Sequence, residues 1–180
     1  MSMSKFIAAL VCILFCVACE QQKNTFTDTR DSKVYKTVKI GGQVWLAENL
    51  NYNASGSKCY DNKPDNCDKY GRLYSWETAM KSCPSGWHLP GSAELEVLME
   101  MVGDEKNDTE EDKFGFFTLQ GGYGYLSGYF YDINNFSYWW STDEYGSYST
   151  YRRHIYYNNE YTDDDSYIKS LLRSVRCVQD

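Results

Sequence analysis

The sequence predicts an α+β domain, and three features predict it. Residues 34–50 alternate apolar and polar side chains around Gly41-Gly42. Apolar residues then recur at helical spacing in two stretches, each next to a proline. From Phe114 onward the chain is dense in Gly, Tyr, Trp and Ser, as short strands and turns require.

The Gly41-Gly42 link is a strong hairpin signal, because the two-residue turns that match strand twist need positive φ. It predicts paired strands over residues 34–40 and 43–47. Leu73, Trp76, Met80 and Cys83 share one helical face, so the spacing predicts a helix over 74–82, stopped by Pro84. A second helix is expected after Pro90, with Ser92 as its N-cap. Leu95, Leu98, Met99 and Val102 form its apolar face and Gly103 ends it. Residues 104–113 are acidic and polar and read as an exposed loop. Ser174-Val175-Arg176-Cys177-Val178 reads as a final strand.

Ahead of this domain the chain has a different character. Lys5 supplies a positive start, and residues 6–18 carry no charge. That run is shorter than the ~20 residues of a membrane-spanning helix and suits the apolar part of an export signal. It ends in Cys16-Val17-Ala18-Cys19, which resembles the bacterial lipobox, with Cys16 where that pattern usually has Leu. The resemblance implies a signal peptide over 1–18 and a thioether-linked diacylglycerol on Cys19, often joined by a third acyl chain. Two or three chains anchor a protein stably, where one does not. Residues 19–32 then read as the lipidated cysteine and a polar tether, with the domain over 33–180. The expected location is the cell envelope, membrane-anchored, at the outer membrane or cell surface.

Of seven cysteines, Cys12 and Cys16 leave with such a signal and Cys19 takes the lipid. Cys59, Cys67, Cys83 and Cys177 remain, an even number that suggests two disulfides in an oxidising compartment. Three pairings are possible. The favoured one is Cys59–Cys67, closing a loop rich in turn formers, with Cys83–Cys177. Loop entropy gives the long bridge about 4.7 kcal/mol and the short one about 2.6 kcal/mol. A zinc site is disfavoured, since no C-x-x-C or matching His spacing occurs.

The formal net charge is −7, and without Lys5 the exported part is one unit more negative. Lys and Arg are scattered, so nucleic acid is not an expected partner. The 17 tyrosines and the scarcity of proline fit a compact β-rich fold rather than disorder.

Several segments stand out together: Ile40-Gly41-Gly42-Gln43-Val44-Trp45 with Ala47-Glu48-Asn49-Leu50, Tyr70-Gly71-Arg72-Leu73-Tyr74, and Cys83-Pro84-Ser85-Gly86-Trp87-His88-Leu89-Pro90. Gly121-Gly122-Tyr123, Tyr138-Trp139-Trp140-Ser141-Thr142 and the 174–178 segment follow. In this order they are similar to the Fibrobacter succinogenes major paralogous domain of exported bacterial proteins. The resemblance implies a C-type-lectin-like fold, close to that of formylglycine-generating enzymes, with twisted antiparallel sheets, two helices and long irregular loops. It brings no established activity. Catalytic formylglycine-generating relatives are expected to use reactive cysteines late in the domain, and here only Cys177 lies there.

Candidate chemistry is sparse. His88 and His154 read as structural and surface residues. No G-x-S-x-G or H-E-x-x-H motif occurs, so no catalytic residue is assigned and no enzyme activity or cofactor is expected. Asp163, Asp164 and Asp165, with Asp143 and Glu144, offer hard oxygen ligands for calcium. They lack EF-hand spacing and the Glu-Pro-Asn or Gln-Pro-Asp triplets of sugar-binding C-type lectins, and read better as a solvated loop. The candidate ligand surface is aromatic: Tyr123, Tyr125, Tyr129, Tyr131, Tyr138, Trp139 and Trp140. Such rings stack on sugars and anchor protein partners at low entropic cost. Alternation on a strand sends at least one of Trp139 and Trp140 into the core. The sequence thus points to a lipid-anchored, non-catalytic recognition domain for a glycan or surface protein. The alternative is a structural or interaction lipoprotein of an envelope assembly without a glycan ligand.

Overall fold

The computed structural model describes residues 24–102, 119–144, 149–156 and 166–180, with backbone only over 149–156 and 166–168. The expected signal segment, Cys19, residues 104–113 and Asp163–Asp165 lie outside the described residues, as does Gly103.

The hairpin forms as its glycines require. Strands β2 (Val34–Ile40) and β3 (Gln43–Leu46) pair in antiparallel register, Ile40 opposite Gln43 and Val38 opposite Trp45. Gly41 and Gly42 both have positive φ, at 58° and 87°. The short strand β1 (Thr25–Thr27) extends the sheet beyond β2. Strands β4 (Trp87–His88) and β11 (Val178–Gln179) complete it on the other side, in the order β1-β2-β3-β11-β4.

A second sheet holds β5 (Gly121–Tyr125), β6 (Phe130–Ile133), β7 (Phe136–Glu144), β8 (Ser149–Tyr156), β9 (Ser166–Ile168) and β10 (Leu171–Leu172). Its order is β10-β5-β7-β8-β9, with β6 paired to β5. All its pairings are antiparallel except β5 with β7, which meet in parallel at Gly122 and Ser137. Three α-helices stand beside the sheets among the described residues: α1 (Pro64–Tyr70), α2 (Trp76–Ala79) and α3 (Ser92–Val102). The fold class is therefore α+β, and none of these helices is long and apolar enough to cross a membrane.

Four expectations about elements need correction. The helix expected over 74–82 is the single turn α2. Ser75 caps it by accepting from Thr78 N, and Trp76 and Ala79 fill its buried face. Beyond Met80 the backbone switches to i→i−3 bonds, Lys81 to Thr78 and Ser82 to Ala79, so the chain turns instead of continuing. The loop between Cys59 and Cys67 holds the first turn of α1, begun by Pro64 at its first position, where a missing N–H costs nothing. Ser92 is the first helical residue of α3, not its cap. Glu94 Oε2 reaches back to Gly91 N at 2.8 Å, and Asp143 accepts from Ser92 N. Leu95 and Leu98 are buried on α3, and Met99 and Val102 pack beside them, as the spacing predicts.

The final strand is also shorter than expected. Only Val178 and Gln179 are strand, because residues 174–177 thread between the sheets and divide their hydrogen bonds. Ser174 O accepts from Trp140 N, Val175 O from Leu50 N, and Cys177 O from Leu46 N. Everything from Leu171 to Val178 is buried, including Arg173 and Arg176. Arg173 lies over Trp140 at 4.8 Å and Arg176 over Trp139 at 5.0 Å, each guanidinium facing a ring. Both favoured disulfides are present, Cys59–Cys67 and Cys83–Cys177. The second ties the threading segment to the turn after α2.

Candidate functional site: a tyrosine-lined hairpin

The β5–β6 hairpin sorts its side chains by size. Alternation sends Gly122, Gly124 and Phe130 to one face and Tyr123, Tyr125, Tyr129 and Tyr131 to the other. The inner face is filled by the Phe130 ring, which lies 5.2 Å from Tyr60 and packs on Leu73 and Leu172. Gly124 makes room for it: a Cβ there would stand 2.6 Å from Phe130 Cδ1. The outer face is left to the tyrosines.

Tyr123, Tyr125 and Tyr131 form one continuous ledge, and Tyr129 stands at its loop end. Tyr123 and Tyr131 are cross-strand partners, with rings stacked at 5.5 Å. Tyr125 meets both edge-on, each at 5.9 Å. Tyr123 is half-buried and rests on Tyr138 at 5.1 Å, so the ledge is footed on the core. Tyr125, Tyr131 and Tyr129 rise from it with exposures of 40%, 45% and 66%, and Leu126 is exposed at the loop. The loop is held by Gly128 N to Tyr125 O, Tyr125 N to Tyr129 O, and Lys58 Nζ to Leu126 O at 3.0 Å. Burial raises the Tyr123 hydroxyl pKa, and neighbouring Tyr125 and Asp132 add to the effect, so it stays protonated and able to donate.

Trp139 and Trp140 do not join this surface. Both are 0% exposed, because both faces of β7 are covered. Trp140 enters the core around Leu46, Leu50 and Val175, and donates to Tyr74 O at 2.6 Å. Trp139 enters the core around Trp45, Leu95 and Val178, and donates to Asn49 Oδ1 at 2.9 Å. Tyr138 is buried as well, donating to Asp132 Oδ2. Of the seven aromatic candidates, four stand at the ledge, Tyr138 lies beneath it, and Trp139 and Trp140 belong to the core. Leu126 and Lys58 were not among the candidates; only the alternation of the tyrosines across Ser127-Gly128 hinted at where they would stand.

The remaining candidates have local duties. His88 sits on β4 with Nδ1 2.7 Å from Asp180 Oδ1 and Nε2 3.2 Å from Glu94 Oε1. Desolvation pulls its pKa down, but the hydrogen bonds to Asp180 and Glu94 outweigh it and raise the value above 6.5. His154 lies on β8 opposite Tyr138 in register. Asp143 caps α3 and Glu144 pairs with Lys169 at 3.3 Å. A register irregularity between Trp140 and Glu144 in β7 frees this stretch to bond other elements: Ser141 O accepts from Trp76 Nε1, and Thr142 N donates to Pro90 O. No cluster of three His, Cys, Asp or Glu able to hold a metal occurs among the described residues.

The model of the Fibrobacter succinogenes major domain matches residues 38–179. The chain belongs to this family. The Fibrobacter succinogenes major domain therefore takes in the hairpin from Val38, all three helices, both disulfides and the whole tyrosine ledge. No curated protein and no solved structure matches the chain.

Proposed function

We propose that this Fibrobacter succinogenes major domain is a lipid-anchored, exported, non-catalytic recognition module that binds a glycan or protein at the bacterial cell surface through the tyrosine ledge. The observation that carries the reading is the ledge itself. Four tyrosines share one face of a hairpin, and three of them are exposed though a core lies directly beneath. Such rings offer flat apolar faces and hydroxyl donors together, which suits stacking on sugars or anchoring a partner loop. Two disulfides suit an oxidising compartment, and the Cys19 lipobox would supply the anchor. The two-sheet α+β arrangement with irregular threading between its sheets is compatible with a C-type-lectin-like fold.

The test uses oxidised protein spanning residues 20–180. It is screened on a glycan panel with calcium and then with chelator, beside Tyr129→Ala and Tyr125→Ala. Binding that survives the chelator and falls at least about tenfold in either variant supports the ledge. Binding abolished by chelator points to the acidic residues 163–165 instead. A folded sample that binds no glycan removes the lectin reading and leaves a protein partner.

A further inference from the structure

A second site stands apart from the ledge and shares no lining residue with it. A cleft of about 340 Å³ opens between the start of β2, the 48–51 segment and the end of α1. That volume is at the small end of ligand pockets, which run from roughly 300 to 1,000 Å³. Lys33, Lys36 and Lys69 line it, together with Glu48, Asp68 and Asn51. In a chain of net charge −7, this is a local excess of positive charge.

Two of the ammonium groups are held in place while keeping donors to spare. Lys33 Nζ donates to Asn51 O at 2.6 Å, using one of its three N–H groups. Lys69 Nζ rests 4.7 Å from the centre of the Tyr70 ring. Among the described residues, Lys33, Lys69, Glu48 and Asp68 form no ion pair.

We infer that this cleft binds a small polyhydroxylated carboxylate, a sugar acid of about one ring. The ammonium groups of Lys33 and Lys69 take the carboxylate. Glu48 and Asp68 accept from the ring hydroxyls. The two cleft carboxylates disfavour a bare dianion such as phosphate, and the lysines disfavour a neutral sugar.

Glucuronate is titrated into the oxidised protein, with glucose and acetate as controls, and amide shifts are followed by NMR. Saturable glucuronate binding is expected, at least about tenfold tighter than either control, with shifts confined to residues 33–36, 48–51 and 67–71. Lys33→Gln and Lys69→Gln are each expected to weaken it about tenfold, while Tyr129→Ala leaves it unchanged. Absence of saturation, equal binding of acetate or glucose, or shifts elsewhere in the molecule would overturn the inference. The wild-type shift map decides the matter even if a lysine variant fails to fold. Failure here leaves the ledge untouched, since the Tyr125 and Tyr129 variants report on that surface and not on the cleft.

Discussion

Asn49 satisfies three buried partners with one amide. Its Nδ2 donates to Tyr70 O at 2.8 Å, and its Oδ1 accepts from Trp139 Nε1 and Arg176 Nη2. The amide thus joins α1, β7 and the threading segment. Asn49→Ala deletes all three bonds, one of them to a buried cation, and should cost about 3 kcal/mol. Urea unfolding should show a lower midpoint with an unchanged slope; an unchanged midpoint would mean that Trp139 and Arg176 find equivalent partners. His88 carries a different prediction. Its pKa is raised by folding, so the stability it adds is fully present below 6.5 and fades as pH climbs through the folded value. Glu94 works in the opposite sense. Burial alone would raise it, but bonds from Gly91, Gln43 and His88 hold it below 4.5, so its contribution is lost in acid. Between 4.5 and 6.5 both are charged and the contact is strongest. His88→Gln should flatten the decline in melting temperature above pH 6.5, and a decline of the same steepness in the variant would assign it to other groups.

At the scale of elements, the long bridge should matter more than the short one. Cys83–Cys177 spans 94 residues and Cys59–Cys67 spans 8. Loop entropy therefore predicts a loss of about 4.7 kcal/mol for Cys83→Ala with Cys177→Ala, against about 2.6 kcal/mol for the short pair. Equal losses in calorimetry would show that native contacts, not chain entropy, set the values. The elements legible from sequence were those encoded locally. Gly41-Gly42 sets its own turn, and the Leu95, Leu98, Met99, Val102 face sets α3 by spacing alone. α1 was hidden because Pro64, Asp65 and Asn66 serve a helix start as readily as a turn. α2 was overextended because Met80 keeps the helical interval but faces solvent. The four ledge tyrosines were visible from their alternation. The burial of both Trp139 and Trp140 was not, since it depends on what covers each face of β7. The lysines of the cleft are 36 residues apart at their extremes in sequence, and only packing brings Lys69 to Lys33.

At the scale of the molecule, the two sheets are joined by a segment that belongs to neither. Isolated bridges link Tyr74 to Arg173 and Trp139 to Ser174, and Val178 then enters the first sheet between Trp45 of β3 and His88 of β4. The last strand in chain order is thus an interior strand in space. A polypeptide made from its N-terminus emerges with β3 and β4 both lacking a neighbour, and Cys83 lacking its partner, until residue 178 has left the ribosome. The sheet cannot close early, whatever the speed of the local hairpin. Within the domain, the stretch from Leu171 to Gln179 is thus the latch that fastens two separately formed halves into one solid.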